Sequence, residues 1–86
     1  MKQMNYYINF IKTDKNISDL QKEFLNSFIT FRKENNLTQQ LLAEYSNVSR
    51  VKIARIESNM HSPSINSLIE ILGPIGYTIK IEKITK

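Results

Sequence analysis

Arg50, Lys52 and Arg55 set three cations within a short span, and two of them are among the only three arginines in the chain. A guanidinium is a planar fork of donors that pairs bidentately with guanine edges or phosphate, so arginine density on one short element points to an anionic partner. Ile53 and Ile56 stand at i, i+3 and turn inward on a helix; stepping about 100° per residue then leaves Val51, Ala54 and Arg55 facing outward. Arg50 sits at the exposed N-terminal edge of that helix and Lys52 on its opposite flank. The face is narrow and cationic, and an α-helix fits the major groove of duplex DNA. Arg50 and Arg55 suit guanine edges there, and Val51 suits a thymine methyl. Ser49 opens the helix and Gln39 opens the one before it, both beside backbone N–H groups that can meet phosphate; Lys52 and Ser58 complete the expected backbone contacts. The competing reading of the three cations is an ordinary solvated helix face.

The rest of the inventory offers little else. The chain has no cysteine and one histidine, His61, which excludes a cysteine nucleophile, a disulfide framework and a Cys/His zinc cluster. There is no Gly-rich phosphate loop, and the eight scattered carboxylates form no convincing acid–base pair. An enzyme is not expected, nor any cofactor or metal, and His61 in a polar loop reads as a solvated side chain. Twelve Lys and Arg against eight Asp and Glu leave a net charge of +4, which favours a polyanion. A membrane surface is disfavoured because the lysines are dispersed rather than gathered on one amphipathic face. No apolar run has signal-peptide or transmembrane length, so a cytoplasmic protein is expected.

At 86 residues one hydrophobic core is expected. Ser18-Asp19-Leu20-Gln21 has the form of a capping box, and Leu20, Phe24, Phe28 and Phe31 recur at helical steps behind it, predicting a helix to about Glu34 with the Phe stripe in the core. Asn35-Asn36 ends it, and Thr38 caps a second helix through Tyr45. Asn47 can take a positive φ in the tight turn Ser46-Asn47-Val48-Ser49, and Ser49 caps a third helix ending near Glu57. Leu42, Val48, Ile53 and Ile56 supply the core between these two helices, with Ala43 small where they approach. Ser64 caps a fourth helix whose inward face is read as Ile65, Leu68, Ile69 and Leu72, stopping between Gly73 and Gly76. Tyr77, Ile79 and Ile81 then alternate with polar residues, predicting a terminal strand that either packs on the protein's own helices or pairs with a second copy, with self-pairing preferred. Before residue 12 the aromatics fit a helix (Tyr6, Tyr7, Phe10, Ile11) or a strand (Met4, Tyr6, Ile8, Phe10), with the helix preferred; this cluster either folds onto the core or awaits a partner.

Leu37-Thr38-Gln39-Gln40-Leu41-Leu42-Ala43-Glu44 through Ile53-Ala54-Arg55-Ile56-Glu57 resembles the Cro/CI-type (Xre) helix-turn-helix family, over about Phe28 to Ile81. Asn47 and Asn59 stand where that family usually has glycine, and both tolerate a positive φ. The resemblance implies a mainly α, lambda-repressor-like bundle of about four or five helices, here with a C-terminal strand, and an ion pair between Arg32 and Glu57 that serves the fold. A leader (1–17), a helix-turn-helix domain (18–76) and a strand with tail (77–86) are the expected divisions. That layout is similar to HigA-type antitoxins, which implies a homodimer on a palindromic DNA operator and a small ribonuclease toxin neutralised by contact. The alternatives are a stand-alone phage or mobile-element regulator and a protein-binding adaptor that keeps the fold.

Overall fold

The computed structural model describes residues 15–60 and 62–84. Within them the chain forms α1 (Ile17–Glu34), α2 (Gln39–Ser46), α3 (Arg50–Glu57) and α4 (Ile65–Leu72), followed by one turn of 3-10 helix, Gly73–Ile75. Each α-helix starts on a residue with extended backbone whose side chain accepts from an otherwise unpaired amide of the first turn. Thr38, Ser49 and Ser64 do this for α2, α3 and α4, taking the amides of Leu41, Lys52 and Ser67. For α1 the cap is Asn16, whose Oδ1 accepts from the Asp19 amide at 2.8 Å. This corrects the Ser18 expectation. Asp19 falls in the first turn of the earlier start, where its charge complements the helix N-terminus, and Gln21 is left for another task.

Three asparagines punctuate the chain with left-handed backbone: Asn36 after α1 (φ 58°), Asn47 after α2 (φ 61°) and Asn59 after α3 (φ 61°). Asn adopts this conformation more cheaply than other residues bearing a Cβ, so each helix can stop and the chain reverse within a few residues. Gly76 (φ 88°) performs the same service after the 3-10 turn.

The core comprises Leu25 and Phe28 of α1, Leu42 and Ala43 of α2, Val48 of the turn, Ile53 and Ile56 of α3, and Leu68, Ile71 and Leu72 of α4. Phe24 and Phe31 pack at its margin. Leu42, Ile53 and Ile71 are fully enclosed. The inward face of α4 is therefore Leu68, Ile71 and Leu72, while Ile65 and Ile69 are exposed. Two i, i+3, i+4 stripes were available in a helix apolar at most positions, and packing against α2 and the 3-10 turn selects the second.

The expected C-terminal strand is not formed: among the described residues none is in a strand, and 77–84 run without regular structure. A ladder requires a second strand, and the described chain provides none. Tyr77 instead anchors the tail, its amide donating to the Leu72 carbonyl at 3.0 Å and its ring meeting Phe31 edge-on at 4.6 Å. Ile79 and Ile81 stay exposed. The leader's helix-or-strand reading and His61 lie outside the described residues.

Candidate nucleic-acid interface

The turn between α2 and α3 is built from its own polar groups. Asn47, in the left-handed region, returns its amide to the Ala43 carbonyl at 2.9 Å. The buried Ser46 hydroxyl donates to the Leu42 carbonyl at 2.7 Å and accepts from the Val48 amide at 3.3 Å. Val48 then plugs the corner of the core and Ser49 starts α3. Backbone groups that would otherwise be stranded at so sharp a corner are thus paired.

At the far end of α3, Glu57 is held by Arg32 of α1. Nε donates to Oε2 at 2.6 Å and an NH2 hydrogen to Oε1 at 2.9 Å, with both side chains about nine-tenths buried. Arg32 also donates to the Leu37 carbonyl at 2.9 Å, so one guanidinium ties α1, the α1–α2 loop and the end of α3 together. The Gln39 amide adds a third hydrogen bond to Glu57, 3.0 Å to Oε1. Nε, NH1 and NH2 of the fork each make a hydrogen bond, and the paired contact to Glu57 is the bidentate geometry that favours arginine over lysine.

Between these two fixed ends α3 turns Ile53 and Ile56 into the core and leaves Arg50, Val51 and Arg55 exposed, with Arg50 at the N-terminal edge. Val51 is 54% accessible. Neither Arg50 nor Arg55 has an ion-pair partner among the described residues. The predicted backbone contacts are less uniform. Ser49 caps its own helix through its oxygen and keeps its hydroxyl proton for an outside acceptor. Ser58 spends its proton on the Arg55 carbonyl at 2.8 Å. The Gln39 side chain is partly committed to Glu57, which leaves its remaining amide atoms and the α2 N-terminus. Lys52 reaches toward Glu70 of α4, 3.7 Å away, with both side chains about half exposed.

Two arrangements were not read in the sequence. Gln21 Nε2 donates to Asn59 Oδ1 (2.9 Å) and to Ser62 Oγ (3.2 Å), clasping the loop after α3 to the start of α1. Glu70 beside Lys52 is the other; both depend on how helices distant in sequence are packed. No group of acidic, Cys or His side chains suited to hold a metal occurs among the described residues, and no helix there is long and apolar enough to cross a membrane.

A helix-turn-helix family model matches residues 29–81, from the last third of α1 into the tail. The chain belongs to the Cro/CI-type helix-turn-helix family. It is 33% identical over 64 residues to an uncharacterized HTH-type transcriptional regulator of Haemophilus influenzae, covering 74% of this chain and 65% of that protein. It is 42% identical over 48 residues to the immunity repressor protein of Bacillus phage phi105, covering 56% of this chain and 33% of the repressor. The helix-turn-helix chain thus spans less than two thirds of the length of these curated relatives. No solved structure gives a significant match.

Proposed function

We propose that the protein is a sequence-specific DNA-binding transcriptional repressor that lays α3 in the major groove. The observation that carries this reading is the exposed row Arg50, Val51 and Arg55 without internal ion-pair partners, on a helix whose two ends are fixed by Ser49 and by Arg32–Glu57. A rigid element with unengaged forked donors can meet base edges without first breaking contacts of its own. The relatives named as transcriptional regulator and immunity repressor support the same function. Ser49 and the N-terminus of α2 with Gln39 serve as phosphate contacts that set register, joined by Lys52 at the flank; Ser58 joins them only by giving up its hydrogen bond to the Arg55 carbonyl. Arg32–Glu57 serves the fold.

The protein acts in this reading as a homodimer on a palindromic operator, two recognition helices entering successive major grooves about one helical turn apart. The exposed apolar side chains Tyr77, Ile79 and Ile81 supply contact surface for the second copy without a ladder in the single chain. The setting we propose is that of a HigA-type antitoxin in the cytoplasm, neutralising a small ribonuclease toxin; what supports it is the sequence resemblance, without the terminal strand. Selection from random duplex DNA tests the central reading. An inverted-repeat consensus bound more weakly as salt rises is expected, and failure to enrich any sequence overturns sequence-specific repression. Sedimentation of a single species at monomer mass at micromolar concentration overturns the dimer. Failure of any small ribonuclease encoded beside the gene to co-purify with the protein overturns the antitoxin role.

A further inference from the structure

Lys52 and Glu70 meet across the groove between α3 and α4, beside the helix-turn-helix corner. Lys52 lies in the first turn of α3, two residues beyond Arg50, and its ammonium is 3.7 Å from a Glu70 carboxylate oxygen. The separation exceeds an ordinary charge-assisted hydrogen bond, so the two groups attract without being locked. Both side chains are about half exposed, 47% for Lys52 and 59% for Glu70, so either is free to exchange partners at the surface. Ser46, Asn47 and Ser49 of the turn line the same depression together with Lys52 and Glu70. On a protein of net charge +4, a carboxylate on the flank of the cationic helix opposes the field that draws in a polyanion.

We infer that Glu70 is an affinity brake: it competes with DNA phosphate for Lys52 and holds binding below what α3 could reach. The inference rests on the DNA-binding reading and adds a residue of α4, outside the recognition helix, that sets affinity and salt dependence. Lys52 is a compact charge on a flexible stem, suited to a phosphate rather than a base edge. When a phosphate approaches, Lys52 must leave Glu70, and the carboxylate left behind faces the DNA with like charge. Such a brake weakens binding to all sequences equally, because the contact it suppresses carries no base information. A repressor that must leave its site gains release by it while the readout by Arg50 and Arg55 is untouched.

The test uses the full chain and a mixed-sequence duplex DNA, with affinity followed by fluorescence anisotropy over a range of salt concentrations. Glu70→Gln keeps shape and solvation at an exposed position, and thermal unfolding by circular dichroism checks that the fold is kept. Glu34→Gln, which makes the same charge change at the far end of α1, reports the effect of net charge alone. Glu70→Gln is expected to bind about two- to five-fold tighter than the parent per chain at low salt, in line with couplings of exposed ion pairs. Its log–log salt slope should steepen by up to about 0.9, as one further phosphate contact requires. Glu34→Gln should gain less, and in a Lys52→Ala background the gain from Glu70→Gln should fall to that of Glu34→Gln. If the parent binds and Glu70→Gln binds no tighter than Glu34→Gln, or keeps its full gain without Lys52, the brake is overturned and the DNA-binding reading stands. If the parent binds no duplex at any salt concentration, the DNA-binding reading falls, and the brake with it.

Discussion

Replacing Arg32 by Met, with nearly the same stem and no charge, strands the Glu57 carboxylate in a site where its side chain is 7% exposed. Of the three hydrogen bonds that Glu57 accepts, two come from Arg32 and only the Gln39 amide would remain. Breaking one side of a buried ion pair costs about 3–5 kcal/mol, because the surviving charge keeps its desolvation penalty and loses its compensation. A chain of 86 residues has a total stability of roughly 4–13 kcal/mol at about 0.05–0.15 kcal/mol per residue. The substitution therefore consumes a large share of it. With a urea m-value near 1 kcal/mol per M for so small a domain, the midpoint should fall by about 3–5 M. Glu57→Leu should behave alike, leaving the guanidinium bonded to the Leu37 carbonyl alone. In the double variant no uncompensated charge remains, and what is left without partners is neutral, on the half-buried residues Leu37 and Gln39, so the cost should drop to about 1–2 kcal/mol. Urea unfolding monitored by circular dichroism of the parent, both single variants and the double completes a double-mutant cycle. A midpoint shift under about 1 M for both single variants, or a double variant as unstable as their sum, would refute the reasoning that the pair acts as one buried unit.

Ile53→Ala opens a void at a fully enclosed position and should cost about 2–5 kcal/mol in the same assay. Asn47→Ala should cost about 1 kcal/mol because its φ of 61° is left-handed, whereas Asn47→Gly should unfold at the parent's midpoint or above it. Arg50→Ala or Arg55→Ala should each weaken operator binding by about 1–3 kcal/mol and relax preference at one base pair per half-site. Equal loss on all sequences would instead make them phosphate contacts, readable by repeating the duplex selection with each variant.

Features set by neighbours in sequence were legible, and those set by packing between distant segments were less so. Thr38, Ser49 and Ser64 announce helix starts because a cap needs only its own backbone and an amide three residues on. Asn47 reads as a corner for the same reason. Ser18 misled because both it and Asn16 can cap, and the residues alone do not decide between adjacent starts. The face of α4 was ambiguous because apolar residues occupy two stripes, and only the fit of Ile71 into the core chooses. The tail alternates like a strand, yet alternation specifies a strand only when a second one lies beside it. Among the site residues, the outward row of α3 follows from the period of Ile53 and Ile56. The internal commitments of Gln39, Ser58 and Lys52 do not, since each partner comes from the tertiary arrangement or from a local rotamer.

The ion pair, the cap and the exposed row are parts of one arrangement. A short helix of eight residues gains little stability from its own hydrogen bonds, so its position depends on what holds its ends and its inner face. Ser49 satisfies the first turn, Ile53 and Ile56 fill the core, and Glu57 locks the last turn to α1 and α2 through Arg32 and Gln39. Arg50, Val51 and Arg55 take part in none of this. Their contacts can therefore be changed without loosening the helix that presents them, and the helix can be loosened from Glu57 without altering the row. A Glu57 variant that remains folded should lose affinity for its best site while keeping its order of base preferences. An Arg55 variant should lose the preference and keep the stability. If both substitutions changed base preference alike, Glu57 would belong to the readout, and the separation of fold from recognition along α3 would fail.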